Sequence, residues 1–202
     1  MPFRIVPIVE GHGEVPALPI LLRRLLAEFN PAVAIELARP IRRPRGTLLK
    51  EGGLEEAVRL GAIEMGDTGA ILLLLDSEGD CPAELAPSFL ARARNARPDK
   101  QISLVLAHQE FEAWFLAAAS GLKGRRGLRE EIEDHTSPES VRGCKEWLEA
   151  WMPPMMKYSE TVDQPAFSIV FDLRLARKAP SFDKFYREVE EICRQAILPL
   201  PH

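Results

Sequence analysis

Residues 70–75 read Ala-Ile-Leu-Leu-Leu-Leu, set between Gly69 and Asp76. A run with no polar face has to be covered on both sides, which is what a central strand of a parallel sheet provides. Ile5–Val9, interrupted by Pro7, and Ile102–Ala107 predict two more strands, and Val33–Ile41 a fourth. Helical spacing falls between them. Leu18, Leu21, Leu22, Leu25 and Leu26 line one helix, with Pro16 or Pro19 suited to its first turn, and Leu54–Met65 and Pro82–Arg97 read as two others. This alternation over residues 1–110 predicts an α/β fold with a mostly parallel central sheet of about four strands and helices on both faces.

The remainder reads as mainly helical. Phe111–Ala119 is rich in aromatics, and Gly121–Gly127 is a basic turn carrying Lys123, Arg125 and Arg126. Ser137 is the expected N-cap of a helix reaching Trp151, stopped by Met152-Pro153-Pro154. Asp163 is the expected cap of a helix to about Lys178, and Ser181 that of a last helix carrying Phe185, Val189 and Ile192. With no repeat, low-complexity tract or long linker, the chain reads as one domain over 1–202. A sheet core occupies 1–110, and a helical half, 111–202, packs on it.

Composition bounds the function. At a net charge of −4 and a pI near 5.7, the chain is no polycation built to coat nucleic acid, so any such binding needs a local basic patch or metal ions. Nineteen of the 26 basic residues are Arg, which suits bidentate phosphate contacts but follows equally from genomic base composition. Cys81, Cys144 and Cys193 form no Cys-x-x-Cys pair, so neither a zinc ribbon nor a disulfide framework is indicated, and a reducing cytoplasm fits. The apolar run after Met1 is too short for a signal peptide, and no stretch approaches the ~20 apolar residues that span a membrane.

In open α/β sheets, ligands bind beyond the carboxyl ends of the strands. Glu10 follows the first strand, in Glu10-Gly11-His12-Gly13-Glu14. Asp76 follows the most apolar one, in Asp76-Ser77-Glu78-Gly79-Asp80. If those strands are neighbours, their carboxylates share one crevice and repel unless something positive lies between them. An oxygen-only donor set favours Mg²⁺ or Mn²⁺ over zinc. Two such ions could clamp the attacking and leaving oxygens of a phosphodiester. Gly11 and Gly13 would let backbone approach a metal or phosphate, and Glu14 could serve a second ion. Either cluster alone is equally a polar turn or a favourable helix-start charge; the two together point to a site.

Other residues are candidates for lesser roles. After the fourth strand, Glu112 is preferred over Glu110 as a further ligand, with Phe111, Trp114 and Phe115 packing inward. His12 and His108 are proton-shuttle candidates or hydrogen-bonded structural histidines. Arg42, Arg43, Arg45 and Lys157, with the Lys123, Arg125 and Arg126 turn, are candidate phosphate contacts, or solvated surface.

These residues resemble known families. A strand ending in Glu-Gly, a Glu at the start of the next helix and a later strand ending in Asp-x-(Asp/Glu) are similar to the Toprim domain of topoisomerases, primases and overcoming-lysogenization-defect nucleases. More narrowly, three segments resemble a Toprim-like bacterial family, domain of unknown function 4276. They are Val9-Glu10-Gly11 with Glu14, Leu75-Asp76-x-Glu78-x-Asp80-Cys81-Pro82, and Glu110-Phe111-Glu112-Ala113-Trp114-Phe115. Lys157-Tyr158, Gln164-Pro165 and Ser181-Phe182 extend that likeness over nearly the whole chain. The resemblance implies a metal-dependent nuclease-like fold in which Glu10 is the first-motif glutamate and Asp76 and Glu78 are the second-motif acids. Glu78 stands where the Toprim pattern usually has Asp, which moves the carboxylate.

The expectation is a Mg²⁺- or Mn²⁺-dependent phosphodiesterase acting on DNA or RNA. Glu10, Asp76 and Glu78 would be catalytic, with Glu14, Asp80 and Glu112 completing the metal set. By resemblance it would serve as an anti-phage effector working with an ATPase, and nucleic acid, an ATPase and a second copy of the chain as a homodimer are the candidate partners. The alternative is a catalytically weak Toprim-shaped binding or regulatory subunit.

Overall fold

The computed structural model describes residues 2–197; residues 1 and 198–202, the ends of the domain span read from the sequence, lie outside them. The order of elements is β1 (Phe3–Val9), α1 (Glu14–Phe29), β2 (Ile35–Leu37), β3 (Ile41–Arg42), α2 (Arg45–Leu49), α3 (Gly53–Met65), β4 (Gly69–Asp76), α4 (Pro82–Ala96) and β5 (Gln101–Ala107). The second half adds α5 (Ala113–Ala117), α6 (Cys144–Glu149), α7 (Glu160–Ser168), α8 (Leu173–Ala176) and α9 (Pro180–Gln195), with 3₁₀ turns between α5 and α6. The fold is α/β as expected, and the second half is helical over the described residues, 111–197.

The sheet is wholly parallel, in the order β2-β1-β4-β5, with β3 also pairing to β1 beyond the end of β2. The chain leaves β1 toward β2 and β3 on one side, then returns to place β4 on the other. The crevice between the carboxyl ends of β1 and β4 is therefore the topological switch point, where this class of fold binds ligands. Val9 stands opposite Leu74, which brings Glu10 and Asp76 to neighbouring strand ends.

Strand side chains alternate faces, and each face has its own core. Ala70, Leu72 and Leu74 join the layer of α1, α5 and α9, whereas Ile71, Leu73 and Leu75 join that of α3 and α4. By the same period of two, Asp76 inherits the α1 and α5 face. The apolar reading of β4 holds because six of its eight residues are buried.

Four expectations need correction. Val33–Ile41 is not one strand: Pro40, which has no N–H to give a ladder, splits it into β2 and β3. Ser137 starts only a 3₁₀ turn and makes no side-chain cap. Gly143, in the left-handed region at φ 72°, breaks the chain before α6 begins at Cys144. Asp163 caps nothing downstream; it lies buried inside α7, accepting from the Ser159 N–H at 2.7 Å and from Arg126 Nε at 2.7 Å, and Asp172 caps α8. Ser181 lies inside α9, after Pro180, and its Oγ accepts from the Trp114 indole at 2.8 Å.

Candidate metal centre

Glu112 is the acid of the crevice that the fold buries completely. It sits at the cap of α5 between Phe111 and Ala113 and is fully buried with both. Aromatic packing draws it in. Trp114 stacks on Phe185 at 5.2 Å and meets Phe182 edge-on at 5.2 Å, and Phe115 meets Phe167 and Phe171 edge-on. Glu112 Oε1 accepts from Gln164 Nε2 at 2.7 Å and from the Tyr158 hydroxyl at 3.0 Å, while Oε2 has no partner. Burial pushes its pKa up to about 7, against the pull of Lys145 and those two hydrogen bonds.

Three more carboxylates face the same crevice. Glu14 opens α1, is 5% exposed, and accepts from the Gly11 N–H. Burial, with repulsion from Glu10 and Glu160, raises it to about 7. Asp76 is raised well above the ordinary carboxylate range by burial and then by the charges of Glu14, Glu112 and Glu10. Glu10 is raised by burial and by Glu78, with Arg45 opposing, and its Oε2 also lacks a hydrogen-bond partner. Such mutual repulsion among buried acids is what a cation would relieve.

The protein supplies part of that cation itself. Lys145 on α6 pairs with Glu160 at 2.6 Å; burial lowers its pKa, but Glu112, Glu160 and Glu110 outweigh that and hold it protonated. Arg45, which opens α2, reaches Glu10 at 3.9 Å, Glu78 at 3.4 Å and Asp80 at 2.8 Å, and donates to the carbonyl of Asp76. Its contact with Glu10 is an ion pair too long to be a hydrogen bond.

The acids read from the sequence thus divide into two groups. Glu10, Glu14, Asp76 and Glu112 form an inner group. Glu78 and Asp80 form an outer one, their side chains 65% and 60% exposed and both engaged by Arg45. The outer loop is fixed. Ser77 is buried, its Oγ accepts from the Gln109 N–H, and Glu78 N–H donates to Gln109 O, with Glu78 and Gln109 both in the left-handed region. The glycines serve side chains rather than a ligand. A Cβ on Gly11 would stand 2.5 Å from Glu14 Oε2, and one on Gly13 would stand 2.1 Å from Gln164 Oε1.

The remaining candidates make no hydrogen bond or ion pair with the inner carboxylates. Lys157 is 82% exposed and bonded to Glu149, while its neighbour Tyr158 reaches Glu112. Arg42 donates to Glu10 O at 3.1 Å, and Arg43 donates to Arg42 O. His108 pairs with Glu139 at 3.4 Å and lines a different hollow with Cys81. Lys145 and Gln164 take part without having been singled out for the site from the sequence, and Arg45, read there as a phosphate contact, holds acids instead.

Two observations bear on a divalent ion. Unpartnered oxygens on Glu10 and Glu112, among acids that raise one another's pKa, make an oxygen donor set suited to Mg²⁺ or Mn²⁺. Among the described residues, though, no three His, Cys, Asp or Glu side chains are already gathered around one point. The inner acids offer such an ion the right donor chemistry without being gathered around one point.

No helix among the described residues is long and apolar enough to cross a membrane. Neither curated proteins nor solved structures give a match to this chain. A family model described as "Domain of unknown function (DUF4276)" does match, over residues 9–190, and so spans β1 to α9 with every acid of the crevice. The chain belongs to the DUF4276 family.

Proposed function

We propose that this protein is a divalent-metal-dependent phosphodiesterase acting on nucleic acid, with Glu10, Glu14, Asp76 and Glu112 as its metal-holding acids. The observation that carries the reading is Glu112, a fully buried carboxylate with one oxygen unpartnered, in a crevice where Asp76 is raised by burial and then by three other acids. A bound Mg²⁺ or Mn²⁺ would polarise the phosphodiester and lower the pKa of water. The chain's own residues do the rest. Tyr158 and Gln164 fix the orientation of Glu112. Lys145 offers a cation to a phosphate oxygen at the rim of a hollow that it lines with Asp76, Glu110 and Arg142. Kinship with Toprim nucleases, a cytoplasmic setting, an ATPase partner and a role in phage defence belong to this reading.

The test is incubation with Mg²⁺ or Mn²⁺ and mixed DNA and RNA. Asp76→Ala and Glu10→Ala should abolish cleavage while circular dichroism stays native, and both should weaken Mn²⁺ binding measured by calorimetry. Full activity in both variants would sink the assignment. Arg45 favours a second reading, a catalytically weak regulatory subunit, because it already holds Glu78 and Asp80. Absence of any metal-dependent cleavage, together with a stable complex with an ATPase, would favour that reading.

A further inference from the structure

Two hollows of about 420 and 440 Å³ lie end to end beside β3 and the start of α1, sharing Val15, Pro16, Arg39 and Pro40 in their walls. Together they form a trough. Arg42 and His12 stand at its near end and Arg23 at its far end. The near end borders the turn that carries Glu10, since Arg42 donates to the backbone carbonyl of Glu10 and His12 lies two residues beyond it. We infer that this trough seats a single-stranded nucleic-acid segment running from the acidic crevice, with Arg23 and Arg39 on its phosphates. The inference rests on the phosphodiesterase reading and deepens it by naming the substrate form.

Three features argue for this occupant. First, the cations are available. Arg23 and Arg39 are exposed, and the acids nearest them in sequence, Glu28 and Glu36, are engaged elsewhere by Tyr186 and Arg4. The adjacent Arg24 shows the contrast: it turns inward and spends its guanidinium on the carbonyls of Ser168 and Phe171. Second, the walls between the arginines are apolar, set by Val15, Pro16 and Pro40. Apolar walls with basic edges suit sugars and bases between phosphates. Third, the surface is concave. Duplex grooves are read by elements that protrude into them, whereas an open, shallow trough accommodates one strand. A chain of net charge −4 with a carboxylate crevice repels nucleic acid there, so local positive charge beside the crevice is what lets a strand approach.

The test is the affinity of the full chain for a labelled 20-nucleotide single strand, DNA and RNA, by fluorescence anisotropy in Ca²⁺ buffer between 50 and 200 mM NaCl. Each of Arg23→Ala and Arg39→Ala should weaken binding several-fold. The pair should reduce the slope of log K against log[salt] by about 1.4, at about 0.7 for each lost phosphate contact on a single strand. Arg59→Ala, exposed on α3 in the opposite layer, should change neither. An unchanged slope in the double variant, equal losses in Arg59→Ala, or tighter binding of duplex than of single strand would each overturn the inference. Mn²⁺-dependent cleavage measured in parallel separates the two claims. If cleavage depends on Asp76 but Arg23 and Arg39 do not matter, only the trough assignment fails. If binding shows the expected slope without any cleavage, only the phosphodiesterase reading fails.

Discussion

Replacing Glu112 by Gln should make the metal-free protein more stable at alkaline pH. Gln keeps the shape of the side chain, and its Oε1 can keep accepting from Gln164 and Tyr158, while an amide nitrogen takes the place of the unpartnered Oε2. The sign follows from the titration. Glu112 titrates at about 7 in the fold against an ordinary 4.5, because burial disfavours the charged form. Between those two values the native chain binds more protons than the unfolded one, so stability falls as pH rises, and the loss is complete above pH 7. A shift of that size corresponds to about 3 kcal/mol, which Glu112→Gln removes. For a chain of this length that is roughly 6–12 °C in Tm. Asp76 and Glu14 titrate with Glu112, so the steps belong to the group and spread over a wide pH range. The assay is urea and thermal unfolding in EDTA at pH 4.5 and pH 8. The variant should match wild type at pH 4.5 and exceed it at pH 8, and Mn²⁺ should raise the Tm of wild type at pH 8 more than that of the variant. A variant no more stable than wild type at pH 8 would refute the burial argument for this site.

Other changes probe the frame around the crevice. Trp114→Ala empties the centre of the aromatic pack and should cost about 3–5 kcal/mol by urea unfolding. Gly13→Ala drives a Cβ against Gln164 Oε1 and, at 2.8 Å, against Glu160 O; it should cost about 1–3 kcal/mol and weaken Mn²⁺ binding by freeing Glu112, read by melting and calorimetry. Arg45→Ala removes the cation from among Glu10, Glu78 and Asp80. It should lower Tm at pH 8 in EDTA, and Mn²⁺ should restore most of the loss; a loss that Mn²⁺ does not recover would mean that Arg45 acts only as packing.

Much of the frame was legible because a strong local signal agreed with the tertiary outcome. The apolar run at 70–75 could only be covered on both faces, and it is. Leu18, Leu21, Leu22 and Leu25 form the buried stripe of α1 that their spacing predicts. The errors over caps share a cause. Ser137, Asp163 and Ser181 are residue types that cap helices, and for each the tertiary setting overrode a preference that local pattern shows. Ser137 is cut off from α6 by the left-handed turn at Gly143. Asp163 is claimed by Arg126, 37 positions away, and Ser181 by Trp114, 67 away. A cap preference of about 1 kcal/mol yields to partnering a buried charge or indole.

The site was legible in its acids and not in its cations, and the reason is physical. Glu10 and Asp76 each follow an apolar strand, so sequence alone places them at strand ends, and the parallel pairing of β1 with β4 makes them neighbours. Nothing in the spacing of Arg45 or Lys145 ties them to those acids; α2 and α6 deliver them through tertiary packing. Yet the acids could not stay folded together without such partners, because several carboxylates in one low-dielectric crevice repel. The two cations divide this task. Arg45 takes the outer acids and the edge of Glu10, while Lys145 faces the inner ones from the opposite rim. Charge balance in the crevice is therefore incomplete. It suffices to hold the chain together, while Glu112 and Asp76 remain driven toward the protonated state. On the proposed metal-binding reading, binding a cation here would release protons, and its affinity would rise steeply with pH through the neutral range.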